Sequence, residues 1–450
     1  MSVVPATLAG MSMHAPDPIR MIDLFSGAGG LTQGFLRVAV DGSTIPDDDS
    51  TTQSAFSPVA AVEVDAAAAM TYAENFGKLS GGTDHVYLGD ISDWAQGELP
   101  KAEVILGGPP CQGFSGLGKE NPDDPRNQLW RQYFKVVEKV NPKIFVIENV
   151  DRFSTSQEFE NLRAEFKEAG YEICEELLNA ADFGVAQARK RTIIIGTRTD
   201  HPMVEHPSAT HGRPEQPQIP EPRTEKNTQL SFATPATPGE GSRANDWVTL
   251  AECLKHVTPR VTGTDLPIVT AHDTPALVRI SRKVKETGHL NQAFIDRIRN
   301  QMPGPFRTSQ LHIGRNPTEL SLARYRAIPP GGNRHDLVNA SKVGGKLLST
   351  ESWMNHHSGS GDVMGRLVWE KPSVTIRTEF FKPEKGRYLH PDEHRPITHL
   401  EAALIQGFPQ HFRWFGSKSQ IARQIGNAVP VELATAIAKV IRQALRGGQE

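Results

Sequence analysis

Residues 21–40 read MIDLFSGAGGLTQGFLRVAV. An apolar run over 21–25 breaks into SGAGG and is followed by apolar residues at helical spacing, which predicts a strand, a glycine-rich turn and a helix. The same alternation continues outward. VAAVEV (59–64) predicts a strand, DAAAAMTYAENF (65–76) a helix, AEVILGG (102–108) a strand running into a loop and QLWRQYFKVVEKV (128–140) a helix. KIFVIENV (143–150) is a further strand, SQEFENLRAEFKEAG (156–170) a further helix, and YEICEELL (171–178) and TIIIGT (192–197) two more strands. Short β-rich runs alternating with helices of about 10–15 residues predict an α/β fold, a mainly parallel sheet with helices on both faces. Ligands of such sheets lie beyond the C-terminal ends of the strands, and the unusual residues of this chain fall there.

The chain has 450 residues, 38% of them hydrophobic, enough for a sizeable core. At about 100–200 residues per domain this predicts two to four domains. With 49 Lys+Arg against 52 Asp+Glu the net charge is −3, so a polyanionic partner must be met locally. Residues 251–350 hold 15 Lys+Arg and 7 Asp+Glu, a net of +8 that leaves −11 for the rest. That asymmetry is what phosphate contacts require, and it is equally compatible with a solvated basic surface. Cys111, Cys174 and Cys253 are too few and too scattered for a disulfide framework or a four-ligand zinc site, so no metal is expected and a reducing cytoplasm is. No run approaches the ~18 apolar residues of a membrane span, and the first nineteen residues carry no export signal pattern. Residues 1–20 read as a loose tail, with Met11, Met13 and Met21 leaving the start of translation open. Residues 41–57 read as an acidic surface insertion, and 201–250, Pro-rich over 205–245, as a linker or surface loop.

Four motifs carry chemistry. Asp23–Gly30 is a turn at which backbone N–H groups can approach a ligand closely. It departs from the dinucleotide fingerprint, because Thr32 stands where a third glycine would be, and a purely structural turn fits it as well. Glu63 and Asp90 end two further strands, where carboxylates can accept from ribose hydroxyls and an adenine amine or merely cap. GGPPCQGFSG (107–116) places the Cys111 thiol on a loop stiffened by two prolines at a strand mouth, a setting unlike that of a buried structural cysteine. ENV (148–150) puts Glu148 at the end of a buried strand, where desolvation favours a neutral carboxyl able to donate. QARKR (187–191) sets Gln187, Arg189 and Arg191 on one side if the segment is extended. Taken singly, Glu148 reads as a cap and QARKR as a solvated basic stretch.

Together with RPITHLEAALIQGFP (395–409) and QIGNAVP (424–430), these motifs stand in the order seen in cytosine-C5 DNA methyltransferases of the bacterial restriction-modification type, which the chain resembles over roughly 21–200 and 352–445. The resemblance implies a Rossmann-like S-adenosylmethionine-dependent methyltransferase sheet plus a smaller target-recognition domain. Catalysis would fall to Cys111, Glu148, Arg189 and Arg191: the thiolate adds to C6 of cytosine, Glu148 bonds N3 and the exocyclic amine, and the arginines hold O2 or an adjacent phosphate, with their shares undecided. S-adenosylmethionine would meet Phe25, Gly27, Gly29, Gly30, Glu63, Asp90, Ile91, Pro110, Leu129 and Asn427. The partner would be double-stranded DNA, its target cytosine flipped out of the helix. The setting would be a restriction-modification system in which a cognate endonuclease can be encoded nearby, and the chain a cytoplasmic monomer. Residues 21–200 with 412–450 would form the catalytic domain and 251–411 the recognition domain, with Arg279, Arg282, Lys283, Arg297, Arg299, Arg324 and Arg326 as unranked DNA-contacting residues. Leu404 replaces an arginine common in the family, which puts the packing between lobes in question.

Three alternatives compete. A tRNA-modifying relative shares the motifs, although the long basic segment weighs against it. A non-catalytic DNA-binding protein on the same scaffold would not need Cys111, Glu148 and Arg191. A nicotinamide oxidoreductase is disfavoured by Thr32 and by the lack of a His/Lys pair for hydride handling.

Overall fold

The sheet grows from β1 (Ile19–Leu24), whose neighbours on its two sides, β2 (Phe56–Glu63) and β4 (Val104–Gly107), both run parallel to it. The computed structural model describes residues 16–110, 129–214, 245–279, 283–338, 347–355 and 362–447. β3 (Val86–Leu88) continues the parallel array beyond β2, and β5 (Ile144–Asn149) continues it beyond β4. Past β5 the direction reverses: β8 (Lys190–Arg198) is antiparallel to β5, and β6 (Tyr171–Asn179) is antiparallel to β8. Gly288–His289, from the basic segment, closes the far edge antiparallel to β3. The eight strands follow the order Gly288–His289, β3, β2, β1, β4, β5, β8, β6.

Alternation along the strands explains the two covered faces. Val104, Leu106, Ile144, Val146, Ile193 and Ile195 face one side, while Ile105, Phe145, Ile147 and Ile194 face the other, and all are buried. The first face is covered by α1 (Gly30–Leu36) and the C-terminal helix Val431–Arg446. The second is covered by α4 (Leu129–Val140) and α5 (Gln157–Glu168). Caps start the helices where the sequence changes period: Asp65 accepts from the N–H groups of Ala67 and Ala68 at the head of α2 (Ala66–Phe76), and Ser156 does so from Phe159 at the head of α5.

The return of the C-terminal helix to α1 depends on Gly34. A Cβ there would lie 2.4 Å from Ala434 Cβ and 2.7 Å from the Val431 carbonyl oxygen. Gly34→Ala is expected to destabilise the protein by about 1–3 kcal/mol through overpacking, even though alanine favours an isolated helix. Urea unfolding of the variant checks this.

The core does not divide at residue 251. Leu250, Phe294, Phe306, Leu311, Leu400 and Phe412 pack in one cluster with Tyr72, Phe76 and Leu88. A smaller cluster of Tyr325, Ile328, Leu337, Leu348, Met364 and Leu389 forms within the segment expected to read the target. β1 begins two residues inside the expected tail, and the 41–57 insertion ends in β2 from Phe56. Of the Pro-rich stretch, 215–244 lies outside the described residues, while its flanks meet where His211–Gly212 pairs with Asn245–Asp246.

Candidate active site

The parallel strands deliver their C-terminal ends to a single cavity of about 610 Å³. A larger hollow of about 960 Å³ beside α2 and helix Gln292–Ile298 contains none of the motif residues.

At the end of β1, Phe25 holds φ +56°, a left-handed conformation costly for a residue with a side chain, and it lines the cavity. Gly27, at φ +54°, donates its N–H to Glu63 Oε2 at 2.8 Å. The other Glu63 oxygen accepts from Asp65 N at 2.7 Å. Burial pushes the Glu63 carboxyl up to about 7 against these two bonds. Beneath the turn lies buried Asp23. Its carboxyl, raised by burial to about 7, accepts from Thr32 Oγ1 at 2.7 Å, and that hydroxyl lies 2.9 Å from Tyr72 Oη. The residue that breaks the dinucleotide pattern therefore anchors the strand end, a role that its position in the sequence did not disclose.

Gly30, Ile91, Pro110, Leu129 and Asn427 all line the cavity, as does Asp90, whose Oδ1 accepts from Ser92 N at 2.8 Å at the head of α3 (Ile91–Trp94). Gly29 does not. It sits at φ +88° with its α-carbon against α2, where a Cβ would lie 2.3 Å from the Phe76 ring. Its glycine is required by packing. Two lining atoms escaped sequence reasoning: Ser26 Oγ and Gln424 Oε1 are buried in residues of this cavity without a hydrogen-bond partner among the described residues. Such orphaned groups suit a polar ligand.

On the other side stands Glu148. It forms an ion pair with Arg191, Oε1 to Nε 2.7 Å, both side chains being mostly buried, so the carboxyl at this strand end has a guanidinium partner that its place in the sequence did not disclose. Its neighbour Asn149 donates to the Pro109 carbonyl at 3.2 Å, tying the end of β5 to the Pro-Pro segment. A Cβ on Gly108 would lie 3.1 Å from Glu148 Oε2. Cys111, the next residue after Pro110, lies outside the described residues.

QARKR is not one extended strand. It breaks at Arg189, whose N–H bonds the Gln187 carbonyl at 3.0 Å, between β7 (Gln187–Ala188) and β8. Arg189 is 2% exposed and donates to the carbonyls of Ile376 and Gly426 at 3.0 and 3.1 Å, and burial lowers its guanidinium to about 9. Gln187 donates to Gln406 Oε1 at 2.7 Å, and Gln406 in turn donates to the Ile425 carbonyl at 2.5 Å. Buried amides thus join QARKR, the IQGFP turn and the helix Lys418–Asn427. Glu401 is fixed by Arg395 at 2.7 and 2.9 Å. Burial opposes its charge, but these bonds hold its carboxyl below the ordinary range. Leu404 packs half-buried against the same core.

Of the basic residues, Arg279 pairs with Asp265, Arg297 with Glu286, Arg299 with the Thr270 hydroxyl and Arg324 with the Leu348 carbonyl. Lys283 and Arg326 are exposed, and Arg282 lies outside the described residues.

A family model of C-5 cytosine-specific DNA methylases matches residues 19–443. The chain belongs to this family. The methylase is 29% identical over 462 residues to the Type II methyltransferase M.AgeI of Thalassovita gelatinovora, covering 95% of this chain and all of that one. It is 27% identical to the Type II methyltransferase M1.HphI of Haemophilus parahaemolyticus, with 93% and 86% covered. In fold it resembles the crystal structure of a candidate DNA modification methyltransferase from an E. coli prophage, at TM-score 0.58, 22% identity and coverage of 95% and 99%. The methylase therefore has the S-adenosylmethionine-dependent Rossmann-like sheet and acts on cytosine C5 in DNA, in preference to the RNA, non-catalytic and oxidoreductase alternatives.

Proposed function

We propose that the cavity holds S-adenosylmethionine beside a cytosine extruded from a specific DNA duplex, and that the chain protects DNA as the modifying half of a restriction-modification system. One observation carries this reading: the Glu63 and Asp90 carboxylates and the Glu148–Arg191 pair line one cavity, with Pro110, the residue before Cys111, at its wall. When bound, the cofactor supplies a methyl group on a positively charged sulfur. Phe25 and Ile91 would flank its adenine, Glu63 would accept from the ribose hydroxyls, and Asp90 would accept the adenine amine through the oxygen not capping Ser92. Ser26 and Gln424 offer further polar contacts.

The Cys111 thiolate forms a bond to C6 of the cytosine, while the carboxyl of Glu148, steered by Arg191, gives its proton to N3 as negative charge develops there. The electron pair passed to C5 would take up the methyl group as its bond to the sulfonium sulfur breaks, leaving S-adenosylhomocysteine. Loss of the C5 proton then breaks the C6–S bond and frees the thiolate. Arg189, bound to two carbonyls, positions this wall. Extrusion costs a few kcal/mol, offset by pocket and phosphate contacts. No described helix is long and apolar enough to cross a membrane, and the reading places the chain, as a monomer, on cytoplasmic duplex DNA.

Expression in a host lacking cytosine methylation, followed by bisulfite sequencing, tests the proposal. Protected cytosines at one recurring sequence are expected, whereas protection only in tRNA, or none, overturns it. A pH effect also follows. Because the raised Glu63 carboxyl takes its proton as pH falls through about 7, affinity for S-adenosylhomocysteine should decline from pH 8 to 6 by up to about tenfold per unit. Titration calorimetry on Glu63→Gln should show a flatter profile.

A further inference from the structure

Residues 373–378 read SVTIRT. Ser373–Val374 pairs with Gln187–Ala188, and the segment beyond is held from several sides. The Ile376 N–H donates to Gln187 Oε1 at 2.7 Å, and its carbonyl accepts from Arg189 at 3.0 Å. The Tyr388 hydroxyl donates to the Thr375 carbonyl at 3.0 Å. Gly426 lies so close that a Cβ there would come within 2.5 Å of the Arg377 backbone. Ile376 is fully buried, and Arg377 lines the cavity with Glu148 and Arg191.

Among the described residues, three guanidinium groups line this cavity. Arg189 is committed to two carbonyls and Arg191 to Glu148. Among the described residues, no hydrogen-bond or ion-pair partner meets the Arg377 side chain, although it is half-buried on a rigid backbone. Keeping a partly desolvated cation unpaired is unfavourable until an anion arrives. We infer that Arg377 binds a DNA phosphodiester beside the extruded cytosine, a role that the sequence had left between Arg189 and Arg191. This rests on the proposed function. A guanidinium fork matches two phosphate oxygens. The other anion within reach of the cavity, the methionine carboxylate of the cofactor, carries its own ammonium group and gains less from a second cation.

The test measures binding of a duplex bearing the sequence identified by bisulfite reading, with S-adenosylhomocysteine present, across a salt series. Arg377→Ala is expected to weaken duplex binding about tenfold and to make the slope of log K against log salt shallower by about 0.9, one phosphate contact. Affinity for S-adenosylhomocysteine stays unchanged. Arg377→Lys keeps the slope and recovers part of the affinity, and Arg377→Gln replaces the alanine variant if that one fails to fold. An unaltered slope overturns the inference, as does a loss confined to S-adenosylhomocysteine, which would assign Arg377 to the carboxylate. A wild-type protein that methylates no duplex cytosine removes the underlying proposal, whereas normal wild-type methylation with an unchanged variant slope removes this inference alone.

Discussion

Cys111→Ala is expected to abolish methyl transfer, a loss on the order of 10⁴-fold or more in kcat, while S-adenosylhomocysteine binds as before. The approach to this residue is fixed even though the residue itself lies outside the described set. A Cβ on Gly107 would come within 2.7 Å of the Leu24 carbonyl oxygen, so β4 can pass β1 only as glycine, and Asn149 holds the Pro109 carbonyl. Removing the thiol leaves these contacts and the adenosyl side of the cavity intact. A duplex carrying 5-fluorocytosine at the target supplies the second measurement. Fluorine cannot leave as the C5 proton does, so the wild-type protein should be trapped as a covalent adduct that survives denaturing electrophoresis, and the alanine variant should form none. An adduct in the variant, or methylation at more than about one per cent of the wild-type rate, would show that another group attacks C6.

Glu148→Gln should lower kcat by about 10²–10⁴-fold, the range for a positioned acid or base, with a much smaller change in duplex affinity. The amide retains a hydrogen-bonding shape but cannot neutralise charge at N3. Arg191 sits 2.7 Å from the carboxylate, so Arg191→Ala should act partly through Glu148. The double variant should then lose less than the two single losses combined, because neighbours in one ion pair are not independent. Losses that simply multiply would separate the two residues. Equal falls in kcat and in binding would make Glu148 a structural cap.

The strands and helices were legible because burial on two faces leaves continuous apolar runs in the strands and a 3.6-residue period in the helices covering them. That Glu63 and Asp90 line the cavity was legible for a related reason, both being polar residues at abrupt ends of such runs, whereas Asn427 was brought there only by the family resemblance. The packing of Gly29 was hidden, because a positive φ demands glycine equally whether a ligand or the Phe76 ring lies opposite. The division of labour between Arg189 and Arg191 was hidden, since it follows from a backbone break that no side-chain pattern announces. Gln406 depends on a partner 219 residues away in the chain, Gln187, and the backbone that carries Arg377 on one 187 residues away, the Arg189 guanidinium at the Ile376 carbonyl. Periodicity cannot register such pairings. Nor could it show that the basic segment shares a core with α2, because apolar residues do not encode which lobe they will join.

The docking of the C-terminal helix on α1 has a consequence for biosynthesis. Asn427 reaches a cavity whose other walls begin at Phe25, and Arg446 bonds the Asp17 carbonyl at 2.9 Å. A ribosome must therefore have made the chain at least as far as Asn427 before that cavity has all its walls. Chains that stop short of Asn427 would stay inert, so genomic DNA would be out of reach of a partly made enzyme.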